Sequence, residues 1–355
     1  METRQAYILP ETLHTRVTAL LGIRYPIVQG GLAHLSYADL AGAVSEAGGL
    51  GQVGVACFET PEELRDEMHK VRRLTAQPFG VNFPIGHSPV DHFLEVALEE
   101  QAPVITITGG NPETLLKRIQ AHQPTPRTMV LVAGTRAARK AEDLGADAVI
   151  VVGAEGGGHL GRDDTGTMVL VPRVVETVKI PVLASGGIAD GRGLAAALAL
   201  GAEGVEMGTR FVAVQENVAH QHYKEALVRA QETDTVVIER ALGRPARVLK
   251  GAFPERILEV ERDLERRGAS REEALQVLLP YILGAVNTRA SREGALEDGF
   301  VWAGQVTGLI HDIPAAGDLV RRMVLEASVI TQRVARMFTG GDAGGTPTGG
   351  QARGE

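Results

Sequence analysis

The sequence predicts an α/β fold, a (β/α)8 TIM barrel with a small, mostly helical insertion between the eighth strand and the last helix. Three observations predict it. Eight short aliphatic runs, each flanked by Gly or Pro, recur along the first 211 residues. Amphipathic segments separate them. The rhythm then breaks and returns only in a long amphipathic stretch near the end. Continuous apolar runs of strand length suit parallel strands buried on both faces. Eight strand–helix units favour a closed barrel over an open doubly wound sheet.

The runs are YPIVQGG (25–31), GLGQVGV (49–55), FGVNFPI (79–85), VITITGG (104–110), MVLVAGT (129–135), AVIVVGA (148–154), IPVLASGG (180–187) and GVEMGTRF (204–211). Between them the periodicity predicts helices over 36–48, 60–75, 112–122, 135–145, 169–178 and 191–201. Ser36 and Asp39 mark the first start, and Gly48 its end. Thr60, Pro61 and Glu63 form a start signal for the second. The segment 315–338 carries aliphatics at helical spacing and is expected to close the barrel. A barrel is therefore expected over 1–214, completed by 311–338. A substrate-side insertion is expected over 215–310 and a disordered Gly/Thr-rich tail over 339–355.

Composition narrows the function. A net charge of −8 argues against binding a nucleic-acid backbone. Cys57 is the only cysteine, which excludes an internal disulfide and fits a reducing compartment. No apolar run approaches the roughly 20 residues of a membrane helix. The reading is a soluble, cytoplasmic protein acting on a small molecule, with its oligomeric state left open.

Active sites of such barrels lie on the loops after the strands. The distinctive residues fall there: Gly30 and Gly31 after the first run, Asn82 in the third, Gly109 to Asn111 after the fourth, Gly156 to His159 after the sixth, Gly186 and Gly187 after the seventh, and Gly208 and Thr209 after the eighth. Glycines let a ligand lie against bare backbone, and His159 supplies a group that titrates near neutrality. SGGIADG, leading into a helix near Asp190, and MGTRF offer backbone N–H groups for a phosphate. His159 with Asp163 and Asp164, or His220 with His222, lack the ligand set of a metal site, so no metal is expected. Nothing marks Cys57 as a nucleophile, and no P-loop or Rossmann fingerprint is present. Phe253, Tyr281, Phe300 and Trp302 are candidate pocket walls that serve equally well as plain core.

The segments YPIVQGGLA, AVSEAGGLGQVG, FGVNF, GAEGGGHLGRDDTGT, PVLASGGIADGRGLAAALALGAEGVEMGTRF and GRPARVLK resemble the nitronate monooxygenases, formerly 2-nitropropane dioxygenases. The flavin-dependent type II enoyl-acyl-carrier-protein reductases belong to the same superfamily. The resemblance spans residues 16 to 335. It implies an FMN-binding barrel in which Gly30, Gly31, Asn82, Gly157, Gly187, Glu206, Met207, Gly208 and Thr209 contact the cofactor and His159 is catalytic. It further implies oxidation of alkyl nitronates, or of nitroalkanes, with O2. The alternative is an NAD(P)H-dependent flavin reductase acting on an enoyl thioester or a quinone. Gly31, where many monooxygenases have Pro, and Leu160, where many have Arg, resemble the reductase branch. A flavin-binding barrel without turnover is a third reading. An aldolase-like lyase would want a strand-end Lys, and none of the eight runs contains one.

Overall fold

The protein is described by a computed structural model covering residues 8–85 and 90–339. Each of the eight runs contains one strand of a parallel sheet: β1 (Ile27–Gln29), β2 (Gly51–Gly54), β3 (Phe79–Pro84), β4 (Val104–Thr108), β5 (Arg127–Val132), β6 (Ala148–Val152), β8 (Val182–Ser185) and β9 (Gly204–Met207), with β7 (Gly158–His159) lying outside it. The strand order is β1-β9-β8-β6-β5-β4-β3-β2. The ring is completed by one parallel bridge, Val28 to Leu50. There Gln29 N donates to Leu50 O and Leu50 N to Ile27 O, both at 2.9 Å. This is the barrel with helices between its strands.

The helices follow from their caps and faces. Thr60 and Glu63 form a reciprocal capping box at the start of Pro61–Leu74. Asp190 caps Gly191–Ala199 by accepting from Arg192 N and Gly193 N. Ser36 does not cap Ala38–Glu46. Its Oγ instead accepts from Leu32 N and from Gln29 Nε2, stitching the loop after β1. The last helix, Ala316–Thr339, packs on the helices Gly191–Ala199 and Ala38–Glu46 and closes the outer ring. Thr339 ends that helix rather than opening a tail; residues 340–355 lie outside the described residues.

Two helices escape the sequence pattern. Asp91–Glu99 is nearly continuous in apolar residues on its buried side and has no side-chain cap. Arg16–Leu21 has only six residues, yet its Val17 and Leu21 plug the N-terminal end of the barrel against Val28, Leu50, Val104, Met129, Ala148, Ile150 and Leu183.

The insertion is mostly helical but also holds a hairpin, β10 (Thr235–Ile238) and β11 (Ala246–Leu249). Its first arm is β-branched throughout, and the turn between the arms includes Gly243 at φ +63°. β7 adds to this hairpin as an antiparallel edge in the order β10-β11-β7, with His159 opposite Ala246. The segment after β6, read from sequence as a loop, thus leaves the barrel and joins the insertion's sheet. A buried cluster including Leu35, Ala189, Val212, Tyr223, Val301 and Ile310 seats the insertion on the loops after β1, β8 and β9. Among the described residues, no helix is long and apolar enough to cross a membrane.

Candidate active site

Side chains alternate along each strand, so every second residue faces the barrel lumen. The lumen has two halves. The N-terminal half is the aliphatic cluster around Ile150. At the C-terminal end the inward positions turn polar: Gln52 on β2, Asn82 on β3, Thr106 on β4, Ser185 on β8 and Glu206 on β9, all buried. Asn82 is in register with Thr106, which places them side by side.

Several of these polar atoms have no partner. Gln52 Oε1, Asn82 Nδ2 and Thr106 Oγ1 are buried without a hydrogen bond among the described residues. A buried polar group left unpaired costs roughly 1–3 kcal/mol, so such a cluster points to a polar ligand that pairs it. Glu206 is bound differently. Ser185 Oγ donates to its Oε2, and burial pushes its carboxyl above the usual range against the pull of that bond.

The glycines split into two kinds. At Gly30 a Cβ would lie 1.9 Å from Glu206 Oε1, and at Gly31 one would lie 2.1 Å from Asn82 Oδ1. Bare backbone there lets the two polar side chains fold over the end of β1. Gly187 takes φ +74° in the turn after β8. Gly157 behaves otherwise than a ligand cradle: a Cβ there would meet Gly304 N at 2.7 Å and Thr209 Oγ1 at 2.9 Å. The chain itself fills that space. Of the three glycines before His159, Gly158 alone faces open space, with φ +77°.

The phosphate expectation is corrected in part. The N–H groups at the start of helix Gly191–Ala199 are already taken by Asp190 and by Glu326, whose Oε2 accepts from Gly191 N at 2.9 Å. Around the turns after β8 and β9, the N–H groups of Gly187, Gly208 and Thr209 are among those without an acceptor in the described residues. Thr209 Oγ1 accepts from Gly304 N at 3.0 Å, which leaves its own proton to donate. The side chain of Met207 faces the helices in the outer core, so only its backbone reaches the mouth.

His159 stands above this end, its side chain 42% exposed. Its ring lies 5.3 Å from that of Trp302, and the Tyr223 hydroxyl donates to Trp302 O. Of the four candidate wall residues, only Trp302 reaches His159; Phe300, Phe253 and Tyr281 pack in the insertion's own core. His159 Nε2 lies 3.9 Å from Glu239 Oε2. Arg247 on β11 donates through Nη2 to Ala154 O at 2.8 Å, fastening the hairpin to the start of the Gly-rich segment. Burial pushes this guanidinium below the ordinary arginine value.

The remaining motifs are structural. Cys57 is half-buried, and its thiol is pushed up to about 12 by its enclosure, which removes it as a thiolate nucleophile. Asp164 pairs with Arg240 at 3.0 Å. His220 Nδ1 accepts from His222 N and caps the helix Gln221–Arg229. Among the described residues, no group of three or more His, Cys, Asp or Glu is placed to hold a metal ion. Gln52, Thr106 and Ser185 were legible as polar interruptions of aliphatic runs; Glu239 and Arg247 carried no such local signal.

Comparison with known proteins agrees with this architecture. The family model described as nitronate monooxygenase matches residues 14–91 and 88–326. The chain is 31% identical to a probable nitronate monooxygenase of Staphylococcus saprophyticus, covering 90% of this chain and 99% of that one. It is 33% identical to (3aS,4S,5R,7aS)-5-hydroxy-7a-methyl-1-oxo-octahydro-1H-indene-4-carboxyl-CoA dehydrogenase of Rhodococcus jostii, over 89% of this chain and 96% of that one. The solved structure of FabK from Thermotoga maritima superposes with a TM-score of 0.83 at 41% identity, covering 92% and 100% of the two chains. Fold and relatives together define a (β/α)8-barrel oxidoreductase. Within that class, the chain belongs to the nitronate monooxygenase family.

Proposed function

We propose that the protein is an FMN-dependent nitronate monooxygenase, oxidising alkyl nitronates, and nitroalkanes after deprotonation, with O2. The observation that carries this reading is the pairing of His159 with a lumen end whose buried polar atoms are unpartnered. Gly30, Gly31, Asn82, Gly157, Gly187, Glu206, Met207, Gly208 and Thr209 would hold the cofactor, Met207 and Gly157 through backbone. Gln52 and Thr106 join that set through their orphaned atoms, Thr106 in register with Asn82 and Gln52 opposite Gly80 on the same strand. The N–H groups of Gly187, Gly208 and Thr209 suit its phosphate. When bound, FMN supplies the redox chemistry, taking electrons from the nitronate and passing them to O2.

The chain's own residues bind, orient and move a proton. His159 accepts the α-proton of a neutral nitroalkane; the electron pair of that C–H bond stays on carbon and delocalises into the nitro group. The imidazole reaches from β7 over the mouth and is 42% exposed, which suits a base that meets a substrate arriving from solvent. Trp302 fixes one side of the ring, and the β7–β11 ladder fixes the backbone that carries it.

A second reading is favoured by a specific observation, the 41% identity to FabK together with the match to an octahydro-indene-carboxyl-CoA dehydrogenase. In it, NAD(P)H reduces the cofactor and an acyl thioester or quinone is the acceptor. An anaerobic absorbance titration separates the two. Bleaching of a yellow protein by propyl-2-nitronate but not by NADH or NADPH supports the monooxygenase. Bleaching by the nicotinamide, reversed by an enoyl thioester or a quinone, replaces it with the reductase. A colourless protein that takes up no FMN overturns both.

A further inference from the structure

We propose that Glu239 is the positioning residue for His159, its carboxylate serving as the counter-ion of the imidazolium that His159 becomes when it takes a substrate proton. The inference rests on the reading of His159 as the base. Glu239 follows β10 with φ +63°, an uncommon conformation for a residue other than glycine. This geometry turns the side chain inward, where it is 2% exposed. Its Oε2 lies 3.9 Å from His159 Nε2 and 2.7 Å from Arg244 Nε.

The Arg244 contact is an ion pair without hydrogen-bond alignment: both atoms are buried and neither has a hydrogen-bond partner among the described residues. Arg244 therefore lies against the buried carboxylate as an ion-pair partner while leaving lone pairs of Oε2 available. An imidazolium 3.9 Å away is the group that can use them. A carboxylate beside a neutral imidazole changes little, but once the ring is protonated the attraction at this distance is substantial. The pair thus favours the protonated state that follows proton abstraction more than the state that precedes it.

The surroundings are well defined. From the helix Ala252–Arg266, Glu261 accepts from Glu239 N at 3.1 Å and from Ala241 N at 3.0 Å, which locks the turn. Burial and the nearby Glu239 raise the Glu261 carboxyl above its usual range. From the turn after β10 come Arg244 and Arg240, the latter engaged by Asp164. From the segment after β7, Arg162 Nε donates to Gly243 O at 2.8 Å. From β11, Arg247 is turned to Ala154 O. Among these groups, only Glu239 places a carboxylate within 4 Å of the His159 ring.

Trp302 is the only tryptophan of the chain and touches His159, so its emission reports the protonation of that ring in the holoenzyme. The test compares wild type with Glu239→Gln, measuring Trp302 emission against pH and steady-state turnover of 2-nitropropane and of preformed propyl-2-nitronate. In the variant, acid quenching moves to lower pH, because the opposite charge beside the ring is gone. The kcat for the neutral nitroalkane falls about tenfold with KM unchanged, while the nitronate, which needs no deprotonation, is oxidised at the wild-type rate. A purely structural defect would depress both substrates. Superimposable quenching curves overturn the proposal. A shifted curve in proteins that oxidise neither substrate supports Glu239 as the counter-ion and overturns the monooxygenase reading. If Glu239→Gln does not fold, Glu239→Asp tests the pair with the charge kept: the carboxylate withdraws by one methylene, the quenching moves part of the way to lower pH, and an unchanged curve overturns the proposal.

Discussion

The two halves of the barrel lumen are built from the same strands, yet they obey opposite rules. Around Ile150 every inward side chain is aliphatic and buried, and the plug Arg16–Leu21 completes the packing. One or two residues further along the strands, Gln52, Asn82 and Thr106 bring polar atoms into burial without partners. The first half lowers the free energy of the folded chain through burial of apolar area. The second half costs stability in the protein alone, a cost that a polar ligand pairing those atoms would offset. Local violation of the packing rules marks the end of the barrel that has a function.

Four substitutions would break or sharpen this contrast. His159→Ala, above the polar half, should lower turnover of a neutral nitroalkane by roughly 10²–10⁴, the usual worth of a general base. Flavin absorbance should be retained; loss of bound flavin from a folded protein would make His159 a cofactor ligand instead. Ile150→Ala, in the aliphatic half, should cost about 2–5 kcal/mol of stability as a cavity opens. Its flavin affinity should stay as in wild type, and denaturant unfolding beside a flavin titration checks both. Gly187→Val should weaken flavin binding about tenfold or more and also cost stability, because φ +74° excludes a β-branched residue. Equal flavin occupancy in wild type and variant would place the phosphate elsewhere.

Glu206→Gln should give the smallest effect, and its sign depends on pH. Burial raises the carboxyl above its unfolded value. The folded state therefore binds more protons, and the wild-type stability contributed by this group is fully present below the ordinary carboxylate pKa and is lost as pH rises. Gln keeps an acceptor for Ser185 and cannot ionise. The variant should match wild type in acid and gain on it as pH rises past the usual carboxylate range. Melting temperatures across that range read the difference directly; a constant offset would show that Glu206 titrates normally.

Much of this was legible from residue patterns alone. Eight aliphatic runs, the capping box at Thr60 and the cap at Asp190 are local signals, set by side-chain chemistry over a few residues, and they specify strands, helices and a barrel. The candidate cluster at its mouth drew on a related signal: Gly30, Gly31 and Gly187 sit at run ends, Asn82 interrupts the third run and His159 follows the sixth, and run ends of a parallel barrel converge. What tertiary structure alone decided is which contacts those residues make. The strand character of Gly158–His159 exists only because β11 offers an edge nearly ninety residues away. Gly157 is a glycine because residues 303–304 cross it. The helix start at Gly191 is closed to a phosphate because Glu326, on the last helix, reaches its first N–H. The pairing of Glu239 with His159 joins the turn after β10 to the segment after β6. Hydrogen-bond and ion-pair partners distant in sequence leave no periodicity, so residue order determined the elements and the mouth, and the folded chain determined the chemistry of each side chain there.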